Sequence, residues 1–211
     1  MSMPSAYLPI ELKGSPGPFV VFEGVSGIGK TTLASTVTRR MEATSLHTLP
    51  LPHSDWSSAV NSRLRSLPQF AFYLSGLLHA SDMIRHARMI GPVIADRYVS
   101  SVIACHGAVH GVAVQQVVKL LEAFRSYLVQ PTCTFYLRCS ESALRERMSG
   151  KRDVKQDDTD LFAIPDRLSR LLANFEAVAA SDPTAVLLDT DDRTPDELAD
   201  QVIARMEADS A

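Results

Sequence analysis

Residues 19–41 read FVVFEGVSGIGKTTLASTVTRRM, and this stretch decides the fold. The apolar run Phe19–Phe22 has the length of a buried strand, and a glycine-rich turn follows it. From about Lys30 to Met41, apolar and polar residues recur at the spacing of an amphipathic helix. The stretch therefore predicts a strand, a tight turn and a helix in direct succession.

The turn Gly24–Thr31 matches the pattern G-x-x-x-x-G-K-[ST] in full, between a predicted strand and a predicted helix. Glycines let backbone N–H groups point at phosphate oxygens, and the helix N-terminus adds partial positive charge. We expect Lys30 to bridge the β- and γ-phosphates and Thr31 to offer its hydroxyl to Mg²⁺. The alternative is a glycine turn that merely links a strand to a helix. The sequence thus predicts ATP binding by Ser26, Gly27, Ile28, Gly29, Lys30, Thr31 and Thr32.

Strands and helices alternate along the rest of the chain, which predicts a parallel sheet covered by helices. Further strands are predicted at Leu46–Leu49, 93–98, 133–139 and 185–190. Further helices are predicted at Gln69–Met89, Val112–Val129, Ser140–Ser149, Ile164–Ala180 and after Thr194, which forms a capping box with Glu197. Residues 50–68 read as irregular and 150–160 as a charged loop. We expect about five strands in one doubly wound α/β domain, residues 19–211, after a loose tail, residues 1–18.

Composition argues against several classes of protein. The 211 residues carry a formal net charge of −3, without the basic excess of a nucleic-acid-binding protein. The cysteines Cys105, Cys133 and Cys139 make no CxxC pair, so neither a zinc site nor a disulfide framework is expected. We find no secretory signal and no 18-residue apolar run, so we expect no membrane partner and a cytoplasmic location. The chain has no N-K-x-D motif, which argues against a GTPase.

A second motif, GPVIADRYVSSVIACHG (91–107), places Asp96, Arg97 and Tyr98 at the end of a buried strand. In a parallel sheet, this end lies at the same edge as the glycine-rich turn. An acid there can hold Mg²⁺ through water, and an arginine can pair with the phosphate of an acceptor. The alternative is a salt bridge at the strand end with no ligand.

Together, the two motifs resemble those of the thymidylate kinase family, which pairs FEG-x-D-G-x-G-K-T-T with DRY-x-x-S-x-x-A-Y. This chain has FEGVSGIGKTT, and then DRY with Ser101 and Ala104 at matching spacing. LLHASDMIRH (77–86) is similar to the family's LLFAADRAQH helix, and YLRCSESALRERM (136–148) is similar to its strand–helix step into the lid. The resemblance spans about Phe19–Met206.

This resemblance implies a three-layer P-loop kinase fold that uses ATP and Mg²⁺ and transfers the γ-phosphate to a nucleoside monophosphate. Lys30 would cradle the transferring group, and Arg97 would hold the acceptor phosphate. Asp96 and Thr31 would support the metal. The family is usually dimeric through its helices, so a homodimer is expected. The helices at 69–89 and 112–129 could form it, although their apolar faces could equally belong to the core.

The charged loop RMSGKRDVKQDDTD (147–160) fits the family's lid. Phosphoryl transfer requires positive charge at the moving group. In one subgroup of the family, an arginine inside the P-loop supplies it, but Gly27 and Ile28 occupy those positions here. The lid must then supply it, and the candidates are Arg147, Lys151, Arg152 and Lys155, with Arg147 and Arg152 favoured. The alternative is a solvated loop whose aspartates at 153, 157, 158 and 160 nearly cancel its charge.

Departures from the family's pattern concentrate on the acceptor side. Ser26 replaces a carboxylate that addresses the acceptor's sugar, and Cys105 replaces the tyrosine that ends the second motif. His79 and Met83 stand where the family has a base-stacking phenylalanine and an arginine that contacts the nucleotide. The R-E-P segment after strand two is replaced by TLPLPHSDW (48–56). We therefore expect a modified acceptor pocket that includes Ser26, His79, Asp82, Met83, Arg97, Ser101 and Cys105.

Helical spacing places His79, Asp82, Met83 and His86 on one face, which would point into that pocket. The alternative is that this face belongs partly to the core, with hydrogen-bonded histidines. A metal site formed by His79, Asp82 and His86 is not expected, because no further ligands are evident.

Two other functions fit parts of the sequence. A kinase that acts on a hydroxyl of a nucleoside or other metabolite needs a general base, for which Asp55, Asp82 or Glu23 is available. A regulatory module that binds nucleotide without transferring phosphate is opposed by the intact motif residues. Arg97 favours an acceptor that already carries a phosphate, such as dTMP or a modified nucleotide.

Overall fold

The computed structural model describes residues 7–151 and 156–208, with only the backbone at position 157. Its strands are β1 (Phe19–Glu23), β2 (Thr44–His47), β3 (Val93–Asp96), β4 (Cys133–Arg138) and β5 (Ala185–Asp189). They form one parallel sheet in the order β2-β3-β1-β4-β5. The strand order reverses around β1, and ligands of open α/β sheets bind in the crevice that such a reversal creates. This position places the turn after β1 at the centre of the expected site.

Nine helices are present in the described ranges, and they cover the sheet on both faces. They are α1 (Lys30–Arg40), α2 (His53–Arg63), α3 (Ser66–Arg88), α4 (Val99–His110), α5 (Val114–Leu121), α6 (Glu141–Ser149), α7 (Gln156–Ala163), α8 (Arg167–Ser181) and α9 (Pro195–Ala208). The predicted capping box at the start of α9 is confirmed, because Glu197 N donates to Thr194 Oγ1 at 3.2 Å and Thr194 N donates to Glu197 Oε2 at 2.8 Å.

The central strand β1 explains why both faces of the sheet are covered. Its side chains alternate, so Val20 and Phe22 pack into the hydrophobic cluster that includes α1 and α9, while Phe19 and Val21 pack into the cluster that includes α3, α4 and α5. All four side chains are buried. Each such burial contributes about 1.5–3 kcal/mol, so β1 and the turn after it are held firmly in place.

The predicted α/β architecture with five parallel strands is confirmed. Residues 50–68 were wrongly predicted to be irregular, because most of them form α2 and the start of α3. The signal for α2 was the spacing of Trp56, Val60 and Leu64 at every fourth residue. It is weak because only Val60 in that helix is buried, so the helix carries little amphipathic contrast.

Three other segments differ from the sequence-based prediction. The helix expected at Val112–Val129 ends at Leu121, and a 3₁₀ helix, Glu122–Phe124, follows it. In this segment, Arg125 N donates to Glu122 O and Tyr127 N to Phe124 O, so the hydrogen bonds span three residues rather than four. The helix α4 was not predicted, and α7 begins at Gln156, inside the segment predicted to be a charged loop.

Candidate active site

The turn between β1 and α1 has the backbone geometry of a phosphate-binding loop. Gly24 and Gly27 have φ angles of 137° and 82°, in the region that glycine adopts without steric cost. A Cβ at Gly27 would lie 2.2 Å from Met148 Sδ, so a side chain at this position would require the Met148 side chain to move. This conformation leaves backbone N–H groups to line a concave loop at the N-terminus of α1, which favours an anion.

Lys30, the first residue of α1, is enclosed by the loop and is only 4% exposed. Its ammonium donates to Val25 O across the loop at 2.6 Å. Burial, and then the charge of Arg97, lowers the pKa of Lys30 to about 7. An enclosed cation that lacks a full counter-charge favours a bound phosphate, because an anion would restore the pKa of this lysine.

Thr31 and Asp96 lie together at the lip of the sheet, as the sequence predicted for a metal site. Thr31 Oγ1 donates to Asp96 Oδ2 at 2.6 Å. The other carboxylate oxygen, Asp96 Oδ1, is buried and accepts no hydrogen bond from any described residue. Oxygen donors of this kind are those that Mg²⁺ prefers, and a metal-bound water would satisfy Asp96 Oδ1. The residues present therefore fit Mg²⁺.

Arg97 follows Asp96 with a φ angle of 73°, an unusual conformation for a residue with a side chain. Its backbone N–H donates to Phe22 O at 3.0 Å, which holds this bend against the end of β1. Its guanidinium nitrogen Nη1 donates to Gly24 O and to Ser101 Oγ, at 3.1 Å each. Strain of this kind persists where the surrounding structure enforces it, and here it directs a guanidinium to the mouth of the loop.

Glu23 is the residue that enforces this bend. Its buried carboxylate accepts hydrogen bonds from the backbone N–H groups of Tyr98, at 2.8 Å, and Ser101, at 3.1 Å, and from the Ser101 hydroxyl. Burial raises the pKa of Glu23, and the bond from Ser101 and the charge of Arg97 oppose that rise. Glu23 thus ties the end of β1 to the start of α4 and fixes the position of Arg97 between them.

The predicted acceptor-side residues do not form one uniform face. His79, Met83 and His86 are exposed along α3. The Asp82 carboxylate is instead engaged within the protein, because it accepts from Tyr127 Oη at 3.0 Å and pairs with Arg85 at 3.3 Å. These contacts connect α3 to the segment that precedes β4.

Cys105 lies on the other wall of the site, on α4. It is half-buried and close enough to Lys30 to act on that residue's pKa. Ser101 is buried one turn earlier on the same helix, where it contacts both Glu23 and Arg97. The structure therefore brings Cys105, Ser101 and Arg97 together at the loop.

Sequence reasoning did not single out His53, the first residue of α2. Its ring centroid lies 6.0 Å from that of His79, and its Nε2 lies 3.1 Å from Ser75 Oγ. Its Nδ1 is buried and has no hydrogen-bond partner among the described residues. Burial and the neighbouring His79 lower the pKa of His53. Its place in the unpredicted helix α2 is the reason that it was missed.

The lid candidates have different positions. Arg147 donates to Ile28 O at 3.2 Å and to both Thr190 Oγ1 and Thr190 O, at 2.8 and 2.7 Å. Lys151 pairs with Asp158 at 2.5 Å, and its ammonium lies 3.5 Å from Ser26 Oγ. Arg152 and Lys155 lie outside the described residues.

The chain is similar to known proteins over most of its length. Residues 22–201 match the family model described as thymidylate kinase. The chain belongs to the thymidylate kinase family. It is therefore a nucleotide kinase, a phosphotransferase.

Individual relatives agree with this assignment. A thymidylate kinase from Caldicellulosiruptor saccharolyticus is 31% identical over 161 residues, which cover 69% of this chain and 76% of that protein. A probable thymidylate kinase from Methanocaldococcus jannaschii is 25% identical over 191 residues, which cover 88% and 93%.

Solved structures establish the fold. A thymidylate kinase from Candida albicans matches with a TM-score of 0.74 at 18% identity, covering 94% of each chain. A deoxyadenosine kinase from M. mycoides matches with a TM-score of 0.66 at 14% identity, covering 90% of this chain and 99% of that one. The predicted three-layer P-loop kinase fold is confirmed.

Two kinds of feature are absent from the described residues. No helix there combines the length and the apolar character that a bilayer span requires. No group of three or more His, Cys, Asp or Glu side chains there is arranged to hold a metal ion.

Proposed function

We propose that this kinase transfers the γ-phosphate of ATP to the phosphate group of a nucleoside monophosphate, with Mg²⁺ supported by Thr31 and Asp96. The observation that carries the proposal is the position of Arg97 between Gly24 of the loop and Ser101 of α4. A guanidinium at this point faces the place where donor and acceptor phosphates would meet. Arginine binds phosphate bidentately, so Arg97 can hold an acceptor phosphate in line with the loop.

The reaction forms one bond and breaks one. An oxygen of the acceptor phosphate attacks the γ-phosphorus, and the bond between that phosphorus and the bridging oxygen of ADP breaks. The second pKa of a phosphate monoester is about 6, so the acceptor is mostly a dianion at neutral pH and needs no general base. Lys30 and the loop amides would bind the donor phosphates, and Arg97 would orient the acceptor. When bound, Mg²⁺ supplies positive charge that offsets the charge on the departing phosphates.

Two of the three candidate bases, Glu23 and Asp82, are already engaged, which argues against the hydroxyl-directed alternative. Glu23 is buried and already accepts hydrogen bonds from Tyr98 and Ser101. Asp82 is held by Tyr127 and Arg85, away from the loop. A hydroxyl acceptor would require one of these carboxylates, or Asp55, to abstract its proton.

The acceptor is a dTMP-like or modified nucleotide, and the wall that would meet its base differs from the family's pattern. His79 and the 37% exposed Met83 replace a phenylalanine and an arginine there, and His53 stands beside His79. Histidine and methionine offer a flat ring and a polarisable side chain, but not the fixed positive charge of arginine. Such a wall suits a base that makes apolar contacts at this position.

A homodimer and a cytoplasmic location are part of the proposal. Large apolar side chains are exposed in and around α2 and α3, which supports association through these helices; they are Leu51, Trp56, Leu64, Leu67 and Ile90. Light scattering on the purified protein tests the oligomeric state, and cell fractionation tests the location.

The function is tested by measuring ADP release from Mg-ATP with a panel of nucleoside monophosphates, nucleosides and sugar phosphates. We expect release to be stimulated by monophosphates only. Stimulation confined to unphosphorylated acceptors would contradict the proposal. Tight ATP binding with no stimulation by any acceptor would instead indicate a regulatory module.

A further inference from the structure

Three consecutive residues of the P-loop contact the end of α6 and Lys151, which lies two residues beyond that helix. Ser26 Oγ lies 3.5 Å from the ammonium of Lys151. Gly27 packs against Met148, and the carbonyl of Ile28 accepts from Arg147 at 3.2 Å. Ser26, which replaces the family's carboxylate, is therefore the loop residue that meets Lys151.

The two described cations in this contact have different roles. Both terminal nitrogens of Arg147 are engaged, one by Ile28 O and Thr190 Oγ1 and the other by Thr190 O. Because Thr190 is buried after β5, Arg147 acts as a clamp between the loop and that strand. Its guanidinium is committed to protein acceptors, and it is not the cation that the geometry offers to a substrate.

Lys151 is placed differently. Its ammonium lies at the rim of the loop and makes two hydrogen bonds within the described part of the chain, to Asp158 at 2.5 Å and to Ser26 at 3.5 Å. An ammonium has three donors, so a third remains for a ligand. The Lys151 side chain is 20% exposed, which leaves it accessible to a phosphate held in the loop.

Asp158 is anchored well enough to orient this ammonium. Its side chain is only 4% exposed, on helix α7. Leu161 of the same helix is part of the hydrophobic core, and the Phe162 ring lies 4.9 Å beneath the guanidinium of Arg145 on α6. A buried carboxylate requires a partner, so Asp158 holds the Lys151 ammonium more firmly than an exposed carboxylate would.

We propose that Lys151 is the cation that contacts the transferred phosphoryl group, and that Asp158 and Ser26 position it over the P-loop. Lys151 is then a catalytic residue, whereas Asp158 and Ser26 act through it. The inference rests on the phosphotransferase function proposed above and identifies which residue completes that site. Ser26 fits this role because a serine offers a neutral acceptor, whereas a carboxylate at position 26 would draw Lys151 away from Asp158.

The test uses the full chain and the variants Lys151→Met, Lys151→Arg, Asp158→Asn and the double variant of Lys151→Met with Asp158→Asn. Removing one donor to a developing charge typically lowers kcat by about 100-fold, and we expect this loss in Lys151→Met with the acceptor KM within about threefold. Lys151→Arg should recover part of the activity. The matched control is Lys119→Met, which removes an exposed lysine from α5 and should leave kcat unchanged.

The role of Asp158 is tested by asking whether the effects of Asp158→Asn and Lys151→Met on kcat are independent of each other. We expect Asp158→Asn to lower kcat about tenfold in the chain that has Lys151, and to have no further effect in Lys151→Met. If the two losses multiply instead, Asp158 does not act through Lys151. If Lys151→Met retains at least half of the wild-type activity, Lys151 is not catalytic. Circular dichroism and the ATP affinity of each variant show whether a loss comes from unfolding.

A binding measurement separates this inference from the proposed function. Calorimetry without an acceptor gives the ratio of ATP affinity to ADP affinity, which reports contacts to the γ-phosphate. One charge-assisted hydrogen bond corresponds to about a tenfold change in that ratio, which we expect to be lost in Lys151→Met and kept in Lys119→Met. An unchanged ratio in Lys151→Met would overturn the inference. If no monophosphate stimulates the wild type, the proposed function fails, while this ratio still tests Lys151.

Discussion

The donor side and the acceptor side of this site are built in different ways. On the donor side, the backbone forms most of the site, because Gly24 and Gly27 adopt positive φ angles and Lys30 is enclosed at the start of α1. On the acceptor side, side chains of α3 such as His79 and Met83 are exposed at the surface. A change of residue is therefore costly on the donor side and tolerated on the acceptor side.

This difference would allow the acceptor pocket to change while the donor-side chemistry is kept. Arg97 lies at the boundary between the donor side and the acceptor side. Glu23, a buried residue of the central strand β1, fixes the position of Arg97 through its hydrogen bonds to the start of α4. The position of the acceptor phosphate is thereby linked to the core. The surface that would meet the rest of the acceptor is not, since His79 and Met83 can change without disturbing the packing of the sheet.

The largest effect is expected on the donor side, from Lys30→Met. Loss of this ammonium should lower kcat/KM by about 10³-fold, because Lys30 is the cation that the loop itself encloses. The fold should survive, since methionine matches the apolar part of the buried lysine and removes a cation whose pKa is lowered by burial. Steady-state kinetics and thermal denaturation measure the two quantities.

A result in which activity and stability fall together would contradict this view of the donor side. It would mean that the ammonium supports the loop itself, through its hydrogen bond to Val25 O, rather than the substrate. Lys119→Met is again the matched control, because it removes a lysine of α5 that is exposed.

The next effect is expected on the acceptor side, from Met83→Arg combined with His79→Phe. These changes restore the residues that the family places on this helix. One charged hydrogen bond contributes about 1.5–3 kcal/mol, so kcat/KM for dTMP should rise by roughly 10- to 100-fold while the ATP affinity stays unchanged. The measurement is kcat/KM for dTMP and for the best acceptor in the panel. No change in their ratio would show that α3 does not line the acceptor pocket.

The contrast between the two sides also appears in what the sequence could predict. The loop was recognised because its residues are adjacent in sequence and each has a local role. By contrast, β2 begins two residues earlier than predicted, and α2 was missed, since β2 has no buried residue and α2 has only one. The positive φ angle of Arg97 and the contact of Lys151 with Ser26, 125 residues away, have no local signature at all. Such features depend on packing between distant segments.

A pH effect of intermediate size follows from the lowered pKa of Lys30, about 7. Phosphate binding favours the ammonium form, so ATP affinity should fall by about tenfold per pH unit above 7, and binding should take up a proton there. Isothermal titration calorimetry in buffers of different ionisation enthalpy measures this uptake. Lys30→Met should show neither effect.

The lowered pKa of Lys30 weakens ATP binding as the pH rises, but it makes the contribution of Lys30 to the stability of the ligand-free protein more favourable. Between pH 7 and the ordinary pKa of lysine, 10.5, the unfolded chain binds a proton at Lys30 that the folded chain lacks. The contribution of Lys30 to the free energy of unfolding therefore rises with pH across this window. Comparison of the wild type with Lys30→Met by denaturant titration at several pH values isolates that contribution, and parallel curves would contradict the lowered pKa.

The smallest effect is expected from Asp82→Asn, which tests whether α3 supplies a base. Asp82 accepts from Tyr127 and pairs with Arg85, so its role is to connect α3 to the segment before β4. Its carboxylate is partly exposed, and the substitution should cost about 1 kcal/mol, or roughly 2–4 °C in Tm. Because the asparagine keeps an acceptor for Tyr127, kcat should stay within about twofold of the wild-type value. If turnover instead falls by about 100-fold or more while Tm is unchanged, Asp82 is a general base, and a hydroxyl acceptor is favoured over a phosphate. The two acceptor classes are therefore separated by the same variant that measures the stability of this contact.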